Sequence, residues 1–249
     1  MEELYKDKFY KNRHQRTVDS ARAIVPLVLG ILPPITSAID FGCGVGTWLS
    51  VLREQGVTEV QGLDGPWVDQ TLLEIPRENF RQVNFEEPIE LGRRYDLAMT
   101  LEVAEHISPQ NAGQFIASLT KAADFIFFSA AIPYQGGLGH VNEQWPDYWA
   151  QLFSAEGYAA VDLLRPQLWT DARVLNWYRQ NVMLFIKKER LDEINSATAP
   201  VNDESPPLAL VHPERYIAKI EKMSTLKGSW RLFRRALKKD LKERFGGQR

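Results

Sequence analysis

The feature that most restricts the fold is an apolar run that breaks into closely spaced glycines: Ile39-Asp40-Phe41-Gly42-Cys43-Gly44-Val45-Gly46-Thr47-Trp48-Leu49. A strand enters a tight turn, and the turn opens a helix. Glycines permit positive φ angles and let a ligand approach the main chain closely. Asp64 closes the next apolar run, 18 residues beyond Gly46. A carboxylate there can accept hydrogen bonds from the ribose hydroxyls of an adenosine-containing ligand.

The glycine spacing is informative. A dinucleotide fingerprint has Gly-x-Gly-x-x-Gly, whereas this chain has Gly42-x-Gly44-x-Gly46 with Asp40 two residues earlier. An acid in that place suits the positive end of a ligand rather than a pyrophosphate. S-adenosylmethionine, with its ammonium group and cationic sulfonium, fits that description. A turn that merely packs a helix on a sheet is the alternative, and Asp64 in register argues against it.

Short apolar runs then alternate with helical patterns. Strands are expected at 38–42, 59–64, 80–85, 95–102, 124–131, 158–164 and 181–187, and helices at 47–55, 68–73, 109–122 and 144–156. Polar helical material followed by an apolar segment, 21–32, precedes the first strand and is closed by Pro33-Pro34. No long helix separates the last two strands, which suits an antiparallel pair at one edge. The expected fold class is α/β, a Rossmann-like, doubly wound, mostly parallel seven-stranded sheet with an antiparallel edge hairpin and a C-terminal helical appendage.

The glycine segment resembles motif I of class I S-adenosylmethionine-dependent methyltransferases, and later segments resemble the remaining motifs in order over residues 20–190. Val60-Gln61-Gly62-Leu63-Asp64-Gly65 resembles the ribose-binding strand end. Gln82-Val83-Asn84-Phe85 falls where that family places a residue against the adenine amino group, with Asn84 in place of the commoner Asp. The stretch 95–106, ending Leu101-Glu102-Val103-Ala104-Glu105-His106, resembles the fourth motif. The resemblance implies cofactor binding by Asp40, Phe41, Gly42, Cys43, Gly44, Gly46, Asp64, Gly65, Asn84, Phe85, Leu101 and Glu102.

Glu102, Glu105 and His106 follow a strand directly, and on a helical turn positions i, i+3 and i+4 share a face. The loop after the fifth strand carries His140, so two of the four histidines belong to one rim. A hydroxyl acceptor must lose its proton during methyl transfer, and a neutral histidine can take it. His140 is the first candidate and His106 the second. Alternatively, Glu102, Glu105, His106 and His140 hold a divalent cation such as Mg²⁺ that acidifies a bound hydroxyl. That pattern resembles the metal-binding set of small-RNA 2′-O-methyltransferases and a motif of ubiquinone-pathway O-methyltransferases. A third reading has the acids only shape the cofactor pocket and cap the next helix.

Trp145, Tyr148 and Trp149 follow His140, while Trp169, Trp177 and Tyr178 lie between the last two strands. Aromatic faces suit sugars and planar rings, although core packing is the stronger account of any individual ring. The 139–149 segment also resembles a bacterial methyltransferase subgroup of glycan and secondary-metabolite settings.

Composition narrows the setting. Of 249 residues 44% are hydrophobic and only Cys43 is a cysteine, which excludes a disulfide-stapled scaffold and points to a reducing, cytoplasmic compartment. The apolar stretch 24–32 is too short for a membrane span and lacks signal-peptide flanks. The net charge of −2 conceals an asymmetry: residues 213–249 carry 12 Lys and Arg against 4 Asp and Glu, and the rest 18 against 28. The organisation expected is a methyltransferase domain at 1–190 with N-terminal helices, a Pro-rich linker at 191–212 and a basic amphipathic tail at 213–249. The tail would serve homodimer or intramolecular docking, or peripheral contact with the inner membrane surface, while the acidic body disfavours nucleic acid.

The function expected is methyl transfer from S-adenosylmethionine to a hydroxyl of a small-molecule or glycan acceptor. The rivals are an RNA 2′-O-methyltransferase with a metal-bound terminal ribose and a non-catalytic cofactor-binding assembly subunit.

Overall fold

A computed structural model describes residues 7–194 and 209–245. Helix α1 (Asp7–Ile31) runs through Pro26 and leads to strand β1 (Ser37–Phe41). Then follow α2 (Thr47–Glu54), β2 (Glu59–Asp64), β3 (Phe80–Gln82), β4 (Leu97–Leu101), α3 (Ala112–Ala122), β5 (Phe125–Ser129), α4 (Pro146–Ala155) and β6 (Tyr158–Val161). Two short helices, α5 (Arg165–Leu168) and α6 (Asn176–Asn181), separate β6 from β7 (Met183–Lys187).

The strands form one sheet in the order β3-β2-β1-β4-β5-β7-β6. The first five are parallel, and β7 runs antiparallel to both β5 and β6. Seven strands and the antiparallel reversal agree with the expected architecture, with β6 as the outer edge. Strand order reverses between β1 and β4, which opens a crevice at their carboxyl ends.

Both sheet faces are covered, so the central strands read as continuous apolar runs, and alternate residues feed two cores. Ala38, Leu97, Met99, Phe125, Phe127, Leu184 and Ile186 face α1 and α2. Ile39, Phe41, Ala98, Ile126, Phe128 and Phe185 face α3 and α4. Each buried large apolar side chain contributes about 1.5–3 kcal/mol relative to exposure.

Two expectations need correction. The stretch 68–73 is not a helix but one 3₁₀ turn, Gln70–Leu72, capped by Asp69 and followed by Pro76. The third strand ends at Gln82, because Asn84 starts a turn by accepting the backbone N–H of Glu86. The body also extends past residue 190, through a 3₁₀ turn at Lys188–Glu193 to buried Ile194. The expected linker falls mostly outside the described residues. The remainder divides off as a second unit from Val211, containing α7 (Pro213–Ser224) and α8 (Leu226–Phe245). No helix among the described residues is long and apolar enough to cross a membrane.

Candidate active site

The glycine loop lies in the crevice. Gly42, Gly44 and Gly46 adopt φ of 91°, 55° and 88°. Their surroundings differ. A Cβ on Gly42 would lie 2.3 Å from the Val103 side chain, and one on Gly46 3.0 Å from Ile75, but one on Gly44 would meet nothing within 4 Å. Two glycines therefore close the turn, and the middle one leaves open space above the main chain. Cys43 is buried and its thiol is pushed up by burial, so it fills space and is a poor nucleophile.

Asp64 ties the two strand ends together. Its carboxylate accepts the backbone N–H of Gly44 at 2.7 Å and that of Gly65 at 2.6 Å. Burial raises its pKa, while these bonds and the Trp67 side chain oppose the rise. Trp67 folds back over Gly65, where a Cβ would lie 2.2 Å from the indole. Asp40 is fully buried beside it, held well above the usual carboxylate range by burial and then by the charge of Asp64. Two buried acids at one strand-end crevice favour a cationic ligand, and S-adenosylmethionine fits that requirement. Phe85 packs in the core against Phe41 and Phe115, and Leu101 is buried at the end of β4. Asn84 spends its amide on its own turn, donating to Glu87 at 2.8 Å and accepting from Glu86.

The acid–histidine group forms differently from a single helical face. Glu102 takes a left-handed φ of 58°, and Ala104–His106 is a 3₁₀ turn. Glu102 is thereby swung away: its oxygens accept from Asn181 at 2.9 Å and Gln135 at 2.7 Å. Gln180 completes that amide network by donating to Gln135 and Asn181. Glu105, His106 and His140 do converge, with ligand atoms within 4.8 Å of one another.

Glu105 is the anomaly of this cluster. It is fully buried, and neither carboxylate oxygen has a hydrogen-bond partner of good geometry, although the amides of Glu105 and Ala131 lie near enough to favour its charge. Burial, then the charge of Glu102, holds it well above the usual carboxylate range. His140 Nε2 is 3.8 Å from Glu105 Oε1, while His140 Nδ1 lies 2.9 Å from Glu143. The imidazoles of His106 and His140 meet edge to face at 4.8 Å. His106 reaches solvent and its Nδ1 is 3.2 Å from the Gly139 carbonyl. Burial, then the charge of His140, lowers its pKa, so the ring is neutral at pH 7.

The rim loop is stitched to this turn. The N–H groups of Val141 and Asn142 both donate to the Glu105 carbonyl at 3.0 Å. Glu143 accepts from the amides of Tyr134 and Gly136 as well as from His140. Tyr134, Leu138, Val141 and Trp145 stand exposed on the loop. Trp149 and Tyr178 are core residues, the latter packed on Trp48. Sequence spacing does not mark Glu143, Gln135, Gln180, Asn181 or Trp67 as site residues. Only the Gly65-Pro66-Trp67 step, an aromatic just past a glycine, carried a local signal.

A sheet in this strand order, with a glycine loop after β1 and an acid ending β2, defines the class I S-adenosylmethionine-dependent methyltransferases. The family model described as "Methyltransferase domain" matches residues 12–158, and the chain belongs to that family. No curated protein matches the chain significantly. Among solved structures, the chain resembles magnesium protoporphyrin IX methyltransferase from Synechocystis PCC 6803 with bound SAH, at 22% identity and a TM-score of 0.50, covering 70% of this chain and 84% of that one. It resembles DesVI of Streptomyces venezuelae at 14% identity and a TM-score of 0.52, over 72% and 94%. It also resembles SAM-bound CalS10, an amino pentose methyltransferase from Micromonospora echinaspora involved in calicheamicin biosynthesis, at 12% identity and a TM-score of 0.52, over 74% and 98%.

Proposed function

We propose that this enzyme methylates a hydroxyl of a small-molecule or glycan acceptor in the cytoplasm. The observation that carries the reading is the histidine pair over a buried acid at the same rim as the glycine loop. S-adenosylmethionine supplies an electrophilic methyl group on a cationic sulfur. Asp40, Asp64 and the open main chain at Gly44 would hold it, with Gly42, Gly46, Phe41, Cys43 and Gly65 shaping the loop. Leu101, Phe85 and Asn84 would border the adenosine side, and Glu102 the acceptor side.

The histidines divide the proton work by exposure. The base nitrogen must come within about 2.6–3.2 Å of the hydroxyl oxygen whose proton it takes. His106 reaches solvent and is neutral, so it meets the acceptor hydroxyl first. His140, held by Glu143 through Nδ1, positions His106 and stands behind it. This reverses the order expected from sequence. Exposed Tyr134, Leu138 and Trp145 offer faces for a ring-shaped acceptor, in keeping with neighbours named for porphyrin and amino pentose methylation.

The orphaned carboxylate of Glu105 favours a second reading, in which a divalent cation sits on Glu105, His106 and His140. Glu143 would then orient a ligating imidazole. Glu102, engaged by Asn181 and Gln135, is not part of this set.

The test is label transfer from methyl-labelled S-adenosylmethionine to hydroxylated sugars, phenols and lysate fractions. Transfer that forms a methyl ether supports the proposal. Measurable cofactor binding with no transfer to any fraction favours the non-catalytic alternative. Activity after metal stripping in excess EDTA removes the cation reading.

A further inference from the structure

Methyl transfer leaves the second unit without a role. Helices α7 and α8 meet at a tight corner, where Thr225 Oγ1 donates to the Lys222 carbonyl and accepts the N–H of Gly228, both at 3.0 Å. A Cβ on Gly228 would lie 2.0 Å from that carbonyl oxygen, so the corner requires glycine. Beyond it, Leu226, Trp230, Phe233 and Leu237 recur at i, i+4, i+7 and i+11, which places them in one stripe along α8.

A soluble helix buries such a stripe, but the other described helix of this unit, α7, leaves it uncovered: the four residues are 93%, 61%, 56% and 46% exposed. The Trp230 and Phe233 rings stack on each other at 5.6 Å. On α7, Tyr216, Ile217 and Ile220 are exposed as well. Lys227, Arg231, Arg234 and Arg235, all exposed, lie off the apolar stripe. The segment 213–249 holds 12 basic residues against 4 acidic ones.

We infer that α8 docks in the plane of an anionic phospholipid surface, with Leu226, Trp230, Phe233 and Leu237 inserted among the acyl chains. Three considerations select this occupant. An apolar stripe flanked by arginines matches a surface that is apolar below and negatively charged above, because long basic side chains lay their stems on the apolar layer and keep their charges at the phosphates. A second copy docking on the same face would bring two strongly basic segments together. Nucleic acid would engage the arginines but leave Trp230 and Phe233 in water.

Flotation of the full-length protein with vesicles tests this, using phosphatidylcholine alone or with about 30% phosphatidylglycerol. Wild-type protein is expected to float with the anionic vesicles only and to resist about 0.5 M salt, whereas W230E/F233E binds them more weakly and is released by that salt. The variant Arg231→Gln/Arg234→Gln/Arg235→Gln keeps the stripe and should bind the anionic vesicles roughly a hundredfold more weakly, at about fivefold per charge. Cofactor binding should be unchanged in both variants, which confirms a folded body. Equal flotation with neutral and anionic vesicles overturns the inference, as does W230E/F233E binding like wild type. So does failure of the full-length protein to float with the anionic vesicles; dimers, RNA binding or lipid-independent proteolytic protection of α8 that depends on Trp230 and Phe233 would then name the occupant instead.

Discussion

Glu143 Oε1 lies 2.9 Å from His140 Nδ1, and the same carboxylate takes the backbone N–H groups of Tyr134 and Gly136. One side chain therefore fixes both the rim loop and the ring beneath it. With its Nδ1 held against Glu143, the ring turns Nε2 toward Glu105. The loop is tied down again by the two N–H bonds to the Glu105 carbonyl.

Glu143→Ala removes the acceptor for three donors at once. We expect a stability loss of about 1–3 kcal/mol, because two amides and an imidazole lose their partner. Turnover should fall about a hundredfold while the affinity for S-adenosylmethionine stays within twofold, as expected for lost positioning. Glu143→Gln, which keeps one oxygen, should fall between the two. Calorimetric melting and a kcat-against-KM comparison distinguish this from a merely surface role.

The glycines of the loop should separate cleanly by substitution. Gly42→Ala forces a Cβ into Val103 at 2.3 Å in a backbone of φ 91° and should cost well over 1 kcal/mol, with poor expression. Gly44→Ala meets nothing and pays only for its φ of 55°, about 1 kcal/mol. It should remain folded yet bind S-adenosylmethionine at least tenfold more weakly, because its methyl group occupies the open space over the main chain. Circular dichroism with titration calorimetry reads both. Equal cofactor affinity in a folded Gly44→Ala protein would contradict the assignment.

This contrast shows what the sequence makes legible. The glycine loop, Asp64 and the seven strands are written in local spacing, since a strand-turn-helix and a buried sheet each impose their own periodicity. The Glu105–His106–His140 grouping was readable only in part, because the left-handed turn at Glu102 breaks the helical spacing that would have joined it to the others. Asn181 and Gln135 reach Glu102 from residues 79 and 33 positions away, and no local pattern encodes such a meeting. The stretch 68–73 has a helical pattern, but the Asp69 cap and nearby Pro76 limit it to one turn.

Asp40 should trade stability for binding. Its folded pKa is raised above the ordinary 3.8, so the folded protein prefers the protonated form. Its contribution to stability is present in acid and is lost as pH rises through the folded value. Asp40→Asn removes that loss, so the ligand-free variant should melt at or above the wild-type temperature at pH 8, and the difference should vanish in strong acid. The same change removes a carboxyl that can ionise beside a cationic ligand, and S-adenosylmethionine affinity should fall about tenfold or more. Melting curves from pH 3 to 8, with and without ligand, check both halves. A variant that lost stability at pH 8 while keeping full affinity would refute the role given to Asp40.

His106 and His140 are separable through the pH profile. The proton-taking ring must be neutral, and burial beside His140 keeps His106 below its ordinary 6.5. Activity should therefore persist below pH 6.5 and fall only as the pH passes through that depressed value. His106→Asn should lower kcat by about 10²–10⁴-fold and abolish the acid limb, with cofactor binding unchanged. His140→Asn should retain an acid limb, moved upward because the neighbouring positive charge is gone. If a cation occupies the cluster instead, both variants should lose activity alike and should lose metal binding, measured by calorimetry with Mn²⁺ alone. Glu105→Gln then decides the matter: it abolishes metal affinity in the second reading, whereas in the first it relieves a buried acid and leaves the His106 limb in place.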